Sequence, residues 1–392
     1  MREVPLRGLA EELGLPIHER DTFTSWNMPK PDGVPINLII AVSFGLFVPR
    51  RLIHSAKYGG LNVHPSLLPD LRGPAPIHHA LLAERDYTGI TIQTLSTEAF
   101  DAGVPLLQTP HPGIPIPIGC TPEQLHETLA PLGAQLLLQA LRAGLHVPPY
   151  EPYQQPPTSP IHHRHDTTTS ITTETPYTPP APTHAPKITP QDRQILWASQ
   201  TAREVAVRHR VLGPLWTHVR QAGGNHEGIK SSNSSSSSRR RSGKEVEEEE
   251  KPSSSEKRAI LEDVSVAGPP VQTAAASADV SGSVGASVGG DAGCAAREAE
   301  AGGAAAWEES DGDGTVTWIQ KTPLPQTTEG KKSGVAPRMD SKSVTLRYWM
   351  DMDGKGVIVR MAQGSWLRVG KIKVEGSTFK PARHVLGGKR FK

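Results

Sequence analysis

The chain has 392 residues, with 42 Lys and Arg against 40 Asp and Glu, and a net charge of +2 sets up no global field toward nucleic acid or membrane. Its 37 Gly and 37 Pro, close to a fifth of the chain against an average of ~12%, indicate folded and loose parts in one polypeptide of two or three domains. Two cysteines, Cys120 and Cys294, exclude a disulfide scaffold and a paired-Cys zinc site, and no apolar stretch approaches the ~18 residues that span a bilayer. The opening Met1–Pro5 has no apolar signal-peptide core. The expectation is a monomer of a reducing compartment, without a membrane partner or a visible targeting segment.

Residues 1–147 read as alternating short strands and helices. Leu6–Leu13 is a short amphipathic segment ended by Gly14, and Ile36–Val42 is an apolar run suited to a strand buried on both faces. Gly60–His64 and Thr88–Leu95 read as strands, with a helix over Pro76–Ala83. Thr121, Pro122 and Gln124 spell an N-cap, a first-turn proline and a capping box, after which Leu125, Leu129, Leu132 and Leu136 form one apolar helical face. This order argues for a doubly wound parallel α/β sheet.

Residues 148–186, crowded with Pro, Thr and His, read as a linker, and 187–221 as the start of a C-terminal domain with a helix over Trp197–Leu212. Residues 222–312 hold the runs Ser234–Ser238, Arg239–Arg241 and Glu247–Glu250 and an Ala/Gly/Ser/Val tract, the composition of a disordered insert. From 313 to 392 strand signals return at Thr315–Ile319, Val344–Trp349, Gly356–Met361 and Trp366–Val374, as in a small OB-like barrel.

Asn62 and His64 stand two apart at the end of a strand, so their side chains leave one face, and Asp101 follows the next strand. An amide, an imidazole and a carboxylate together can stabilise an oxyanion and shuttle a proton. On spacing alone, a strand-end Asn and His such as Asn62 and His64 are more often turn and packing residues, and Asp101 reads also as an Asx-turn residue before Gly103. His162, His163 and His165 have the residue type of metal ligands but sit in the linker composition without a nearby acid or Cys. His78 and His79 read as packing or surface groups, and Arg239–Arg241 as a solvated run. Lys371, Lys373, Lys380, Arg383, Lys389 and Arg390 are either phosphate contacts for RNA or ordinary surface cations.

The stretch Asn62-Val63-His64-Pro65-Ser66-Leu67-Leu68-Pro69, then Arg72-Gly73 and Pro76, with Thr88-Gly89-Ile90-Thr91 and Asp101-Ala102-Gly103, resembles the folate-dependent formyltransferases. Lys187-Ile188, Ile195-Leu196-Trp197, Arg208–Pro214, Val374-Glu375-Gly376 and Lys380-Pro381 resemble the C-terminal domain of the branch acting on methionyl-tRNA. The likeness covers residues 4–147, 187–220 and, more weakly, 340–387. It implies that Asn62, His64 and Asp101 are catalytic and that Asp101 keeps His64 charged. It further implies that Ser66, Leu67, Leu68 and Pro69 line the tetrahydrofolate site. The resemblance also implies 10-formyltetrahydrofolate as formyl donor, initiator methionyl-tRNA held through the C-terminal barrel as acceptor, the mitochondrial matrix as compartment, and a reaction that needs no metal.

Family members open with a strand, a Gly-containing loop and further βα units before the segment that begins here, so Ile36–Val42 corresponds to their fourth strand. The expectation is an N-terminally truncated, partial doubly wound sheet in which Leu38–Val42 offers an unpaired apolar edge. Two other readings follow: a catalytically inactive RNA-binding protein, and a formyltransferase for a different amine.

Overall fold

The computed structural model describes residues 5–156, 178–220, 256–269, 314–323 and 339–386. Ser234–Ser238, Arg239–Arg241, Glu247–Glu250, His162, His163, His165, Cys294, Lys389 and Arg390 lie outside the described residues. Two units divide the chain, residues 1–192 with 210–212, and residues 193–209 with 213–392.

In the first unit the strands β1 (Ile39–Val42), β2 (Gly60–His64), β4 (Thr91–Thr94) and β5 (Pro105–Gln108) make a sheet of order β1-β2-β4-β5, and β3 (Tyr87–Thr88) pairs apart from it with β6 (Ile114–Pro115). β1 runs parallel to β2, whereas β4 is antiparallel to both of its neighbours. Among the described residues β1 has a strand on its β2 side alone, and Ile40 and Val42 are 44% and 55% exposed. The apolar run therefore forms a sheet edge, as the open edge expected at Leu38–Val42 requires, and is not buried on both faces.

Helices α1 (Pro5–Glu12), α2 (Arg50–Ile53), α3 (Pro76–Leu82) and α4 (Pro122–Arg142) complete this unit. α1 ends before Gly14, which takes φ +64°. α4 starts at the capping box of Thr121 and Gln124 and buries Leu125, Leu129, Gly133 and Ala140. At Gly133 the helix lies so near Val63 that an added Cβ would stand 3.2 Å from its side chain, which explains a glycine in mid-helix.

The described parts of the segment expected to be a linker are packed on this unit. Tyr150 donates from its hydroxyl to the Tyr58 carbonyl at 3.2 Å, the Tyr153 amide donates to Pro105 at 2.8 Å, and Ala185 is fully buried. Their composition hides this, because the contacts are made by backbone and by isolated side chains rather than by an apolar period.

In the second unit β7 (Leu215–Arg220), β8 (Glu256–Ala267), β9 (Gly314–Pro323), β10 (Met339–Met350), β11 (Val357–Arg360) and β12 (Trp366–Val374) follow α5 (Ala202–Leu212). Their order is β11-β10-β9-β7-β8-β12, and β12 pairs back to β11, closing a six-stranded antiparallel barrel. Short β13 (Lys380–Pro381) adds to β12 and leads into α6 (Ala382–Leu386). The interior holds Trp197 stacked on Trp318 at 4.8 Å, with Leu215, Leu261, Tyr348, Val359 and Leu367.

β8 corrects the disordered reading of 222–312 over residues 256–267, which form a stave between β7 and β12. Its alternation breaks between Leu261 and Val264, both buried, where Asp263 takes φ +58° while the pairing with β12 keeps its register. The Asp263 carboxylate packs on Gly370, whose missing Cβ leaves the space for it. A period of two interrupted once inside a short apolar segment offers little to sequence reading.

Candidate active site

Asn62 and His64 occupy the carboxyl end of β2 and share a face, with Gln93 and Thr91 of β4 directly across in register. His64 is 4% exposed. Asp101 sits on the turn joining β4 to β5 at φ +53° and accepts hydrogen bonds at both oxygens. Oδ1 takes the Asn62 and Gln93 side-chain amides, each at 3.1 Å, and lies 3.3 Å from His64 Nδ1. Oδ2 takes the Gly73 amide at 2.9 Å. The structure thus brings together all three residues that the sequence pattern marks.

The other face of His64 is held by backbone, Nε2 standing 3.1 Å from the Leu71 carbonyl. Leu71 takes φ +57° and Gly73 φ +124°, and an extended segment at Thr183–Ala185 clamps this turn. The Leu71 amide donates to Thr183 at 2.8 Å and the Ala185 amide to Arg72 at 2.7 Å. A Cβ on Gly73 would collide with the Ala185 carbonyl.

The three residues open onto a cavity of about 540 Å³ whose apolar walls include Phe44, Phe47, Leu95 and Phe100. Phe47 meets Phe100 edge-on at 5.2 Å. His78, His126 and Lys187 also line it.

The formyl transferase family profile matches residues 18–141, which span Asn62, His64 and Asp101. The mitochondrial methionyl-tRNA formyltransferase of Saccharomyces cerevisiae is 38% identical over 200 residues, 47% of this chain and 44% of that protein. The mitochondrial methionyl-tRNA formyltransferase of Mus musculus is 30% identical over 212 residues, 54% of this chain and 46% of that protein. The chain thus spans less than half the length of these curated relatives. Among solved structures, phosphoribosylglycinamide formyltransferase from Bacillus halodurans is 26% identical over 28% of this chain and 55% of its own, with a TM-score of 0.26.

Ser66, Leu67, Leu68 and Pro69, expected to line a tetrahydrofolate site, are not among the residues lining the cavity that holds Asn62, His64 and Asp101. Their polar groups are spent internally. The Ser66 hydroxyl donates to the Asp70 carbonyl at 2.7 Å, and the Leu68 amide donates to the Thr91 hydroxyl at 3.1 Å. Thr91 donates in turn to the Ser66 carbonyl at 2.7 Å, while Gln108 Nε2 donates to Thr91 Oγ1 at 2.7 Å and to the Leu68 carbonyl at 2.9 Å. The stretch is a braced turn that delivers Leu71 and Gly73 to the site.

Burial holds the His64 imidazole below its ordinary value of 6.5, while Asp101 and the Leu71 carbonyl pull it upward. The expectation that Asp101 keeps His64 charged gives the direction of that one interaction, but desolvation outweighs it. Sequence reasoning also missed Gln93, which carries no motif. Its one signal is a long amide side chain inside a short strand, Thr91-Ile92-Gln93-Thr94.

In the barrel unit Lys371 pairs with Glu262 at 3.6 Å, Lys373 stands 5.8 Å from the Phe379 ring, and Lys380 and Arg383 are exposed. Arg368, which sequence reading passed over, binds Asp351, Asp353 and Asp263, and Asp353 is pushed down to about 2, mainly by the Lys355 and Gly356 amides. No helix among the described residues is long and apolar enough to cross a membrane, and no group of three or more metal-ligating side chains occurs among them.

Proposed function

We propose that this chain transfers the formyl group of 10-formyltetrahydrofolate to the α-amine of methionyl-tRNA, giving N-formylmethionyl-tRNA. The observation that carries the chemistry is the convergence of Asn62, His64 and Gly73 on one carboxylate at the edge of an aromatic-walled cavity. The choice of acceptor is supported by the names of the yeast and mouse relatives. An apolar cavity of about 540 Å³ with Phe44, Phe47 and Phe100 on its walls suits a flat bicyclic donor ring.

The roles follow from the hydrogen bonds. The Leu71 carbonyl accepts the Nε2 proton of neutral His64, which leaves Nδ1, beside Asp101, as the nitrogen that gains a proton. A buried imidazole below 6.5 is mostly neutral at pH 7 and is ready to accept it. The acceptor amine attacks the formyl carbon, the new C–N bond forms, and the carbonyl electron pair moves onto oxygen. Asn62 spends one amide N–H on Asp101 and has a second for this oxyanion. His64 takes the proton shed by the attacking nitrogen, Asp101 stabilises the resulting imidazolium, and the proton passes to N10 of the donor as its bond to the formyl carbon breaks. Tetrahydrofolate and the formylated amine leave.

The barrel supplies the surface for the acceptor tRNA in this reading, and the compartment is that of the two mitochondrial relatives, which subcellular fractionation checks. The test of activity is the full chain with 10-formyltetrahydrofolate and methionyl-tRNA, a sugar amine and a ribotide amine as separate acceptors. Formylmethionyl-tRNA as the main product supports the reading, and formylation of either other amine redirects it. Salt-sensitive tRNA binding without transfer to any amine favours an RNA-binding protein.

A further inference from the structure

Gln93 lies on β4, is 1% exposed, and is the register partner of Asn62 on β2. Cross-strand partners on one face stand side by side, so the site holds two adjacent carboxamides. Both donate to the same atom, Asp101 Oδ1, at 3.1 Å. At the other end of the Gln93 amide, Oε1 accepts the Gly103 backbone N–H at 3.2 Å. A backbone amide can only donate, so this contact sets which end of the Gln93 amide faces Asp101.

We propose that Gln93 is the positioning residue of this site, its carboxamide clipping both ends of the Asp101–Gly103 turn and holding the Asp101 carboxylate against His64. The inference deepens the proposed formyl transfer and rests on that reading of Asn62, His64 and Asp101.

The turn needs such a clip. Asp101 sits at φ +53°, a region that non-glycine residues occupy at a cost. Gly103 is pressed so closely on the Thr94 carbonyl that any Cβ there would collide with it. The β4–β5 pairing shifts register between Ile92 and Gln93, and such a shift re-aims a side chain out of simple alternation. The atom that Gln93 binds is also the carboxylate oxygen facing His64 Nδ1. Its N–H therefore draws negative charge from the oxygen that His64 senses, while Oδ2 keeps its own donor from Gly73. The other titratable groups lining the cavity are His78 of α3, His126 of α4 and Lys187, and the variants below leave all three in place.

The test is a ¹⁵N NMR titration of the His64 imidazole in the full chain, its signal assigned by loss in His64→Gln. Wild type is compared with Gln93→Met, which keeps length but removes both hydrogen-bonding ends, and with the near-isosteric Gln93→Glu. Losing a donor to a carboxylate raises the proton affinity of the pair, so His64 in Gln93→Met titrates about one pH unit higher. Gln93→Glu puts an acceptor where a donor stood and moves the titration further in the same direction. The pH profile of kcat moves with it while KM for the formyl donor holds. An unchanged or lowered His64 titration in the folded variants overturns the proposal even if the rate falls, because lost packing alone slows the site without retuning it. Should Gln93→Met fail to fold, Gln93→Glu decides by the same readout. Absence of transfer by the wild type counts against the proposed function and leaves the NMR outcome intact.

Discussion

The Leu71 carbonyl accepts from His64 Nε2 at 3.1 Å, and Leu71 is itself held by its own amide donating to Thr183 at 2.8 Å. A residue more than a hundred positions away thus sets the imidazole orientation, through a turn in which Leu71 takes a left-handed conformation. The site is tuned by backbone as much as by its three side chains.

Asp101→Ala removes the acceptor shared by Asn62, Gln93, Gly73 and His64. Formyl transfer is expected to fall by about 10²–10⁴, the range for losing a preorganised electrostatic or proton-transfer partner, with the far-UV circular dichroism retained. Steady-state formylation of methionyl-tRNA measures it. Wild-type turnover would remove Asp101 from the mechanism.

The pH dependence has a definite sign. His64 is lowered from 6.5 by burial, so the unfolded chain binds a proton more readily than the folded one. Its contribution to stability is therefore full above 6.5 and is lost as pH falls through the lower folded value. His111 and His209, also lowered by burial, act in the same direction. Urea midpoints at a series of pH values from 8 downward should drop on the acid side of about 6.5, and a smaller drop is expected in His64→Gln.

Thr91→Val keeps the shape of a fully buried side chain and deletes a hydroxyl that serves the Ser66 carbonyl, the Leu68 amide and Gln108. Stranding those groups should cost about 2–3 kcal/mol in equilibrium unfolding. Affinity for the formyl donor should change little if Ser66–Pro69 is scaffold, and a large loss of donor affinity with intact stability would return that stretch to the binding surface.

Leu261→Ala tests the barrel stave at 256–267. Leu261 is fully buried in the core beside Leu215 and Leu367. Truncating it should destabilise the second unit by about 2–5 kcal/mol, seen as a lowered thermal midpoint. A neutral effect would mean that β8 contributes nothing to the barrel.

Sequence alone determined a good deal here. The α4 capping box, the strand at Gly60–His64 and the shared face of Asn62 and His64 all follow from spacings of two to four residues, which backbone geometry converts directly into position. Asp101 was legible through its Asp-Ala-Gly turn, although only the motif resemblance linked it to a strand some forty residues earlier.

What the tertiary structure decided was of another kind. The pairing of Gln93 with Asn62 depends on β2 and β4 lying in register, and the Leu71 carbonyl reaches His64 because a segment of linker-like composition returns to clamp its turn. β8 counts as a strand because it pairs with both β7 and β12 in the closed barrel. His64 lies below 6.5 because desolvation by the surrounding fold outweighs its carboxylate neighbour. Each of these is a long-range relation, fixed by which surfaces meet in space, and composition or periodicity along the chain carries no record of that meeting.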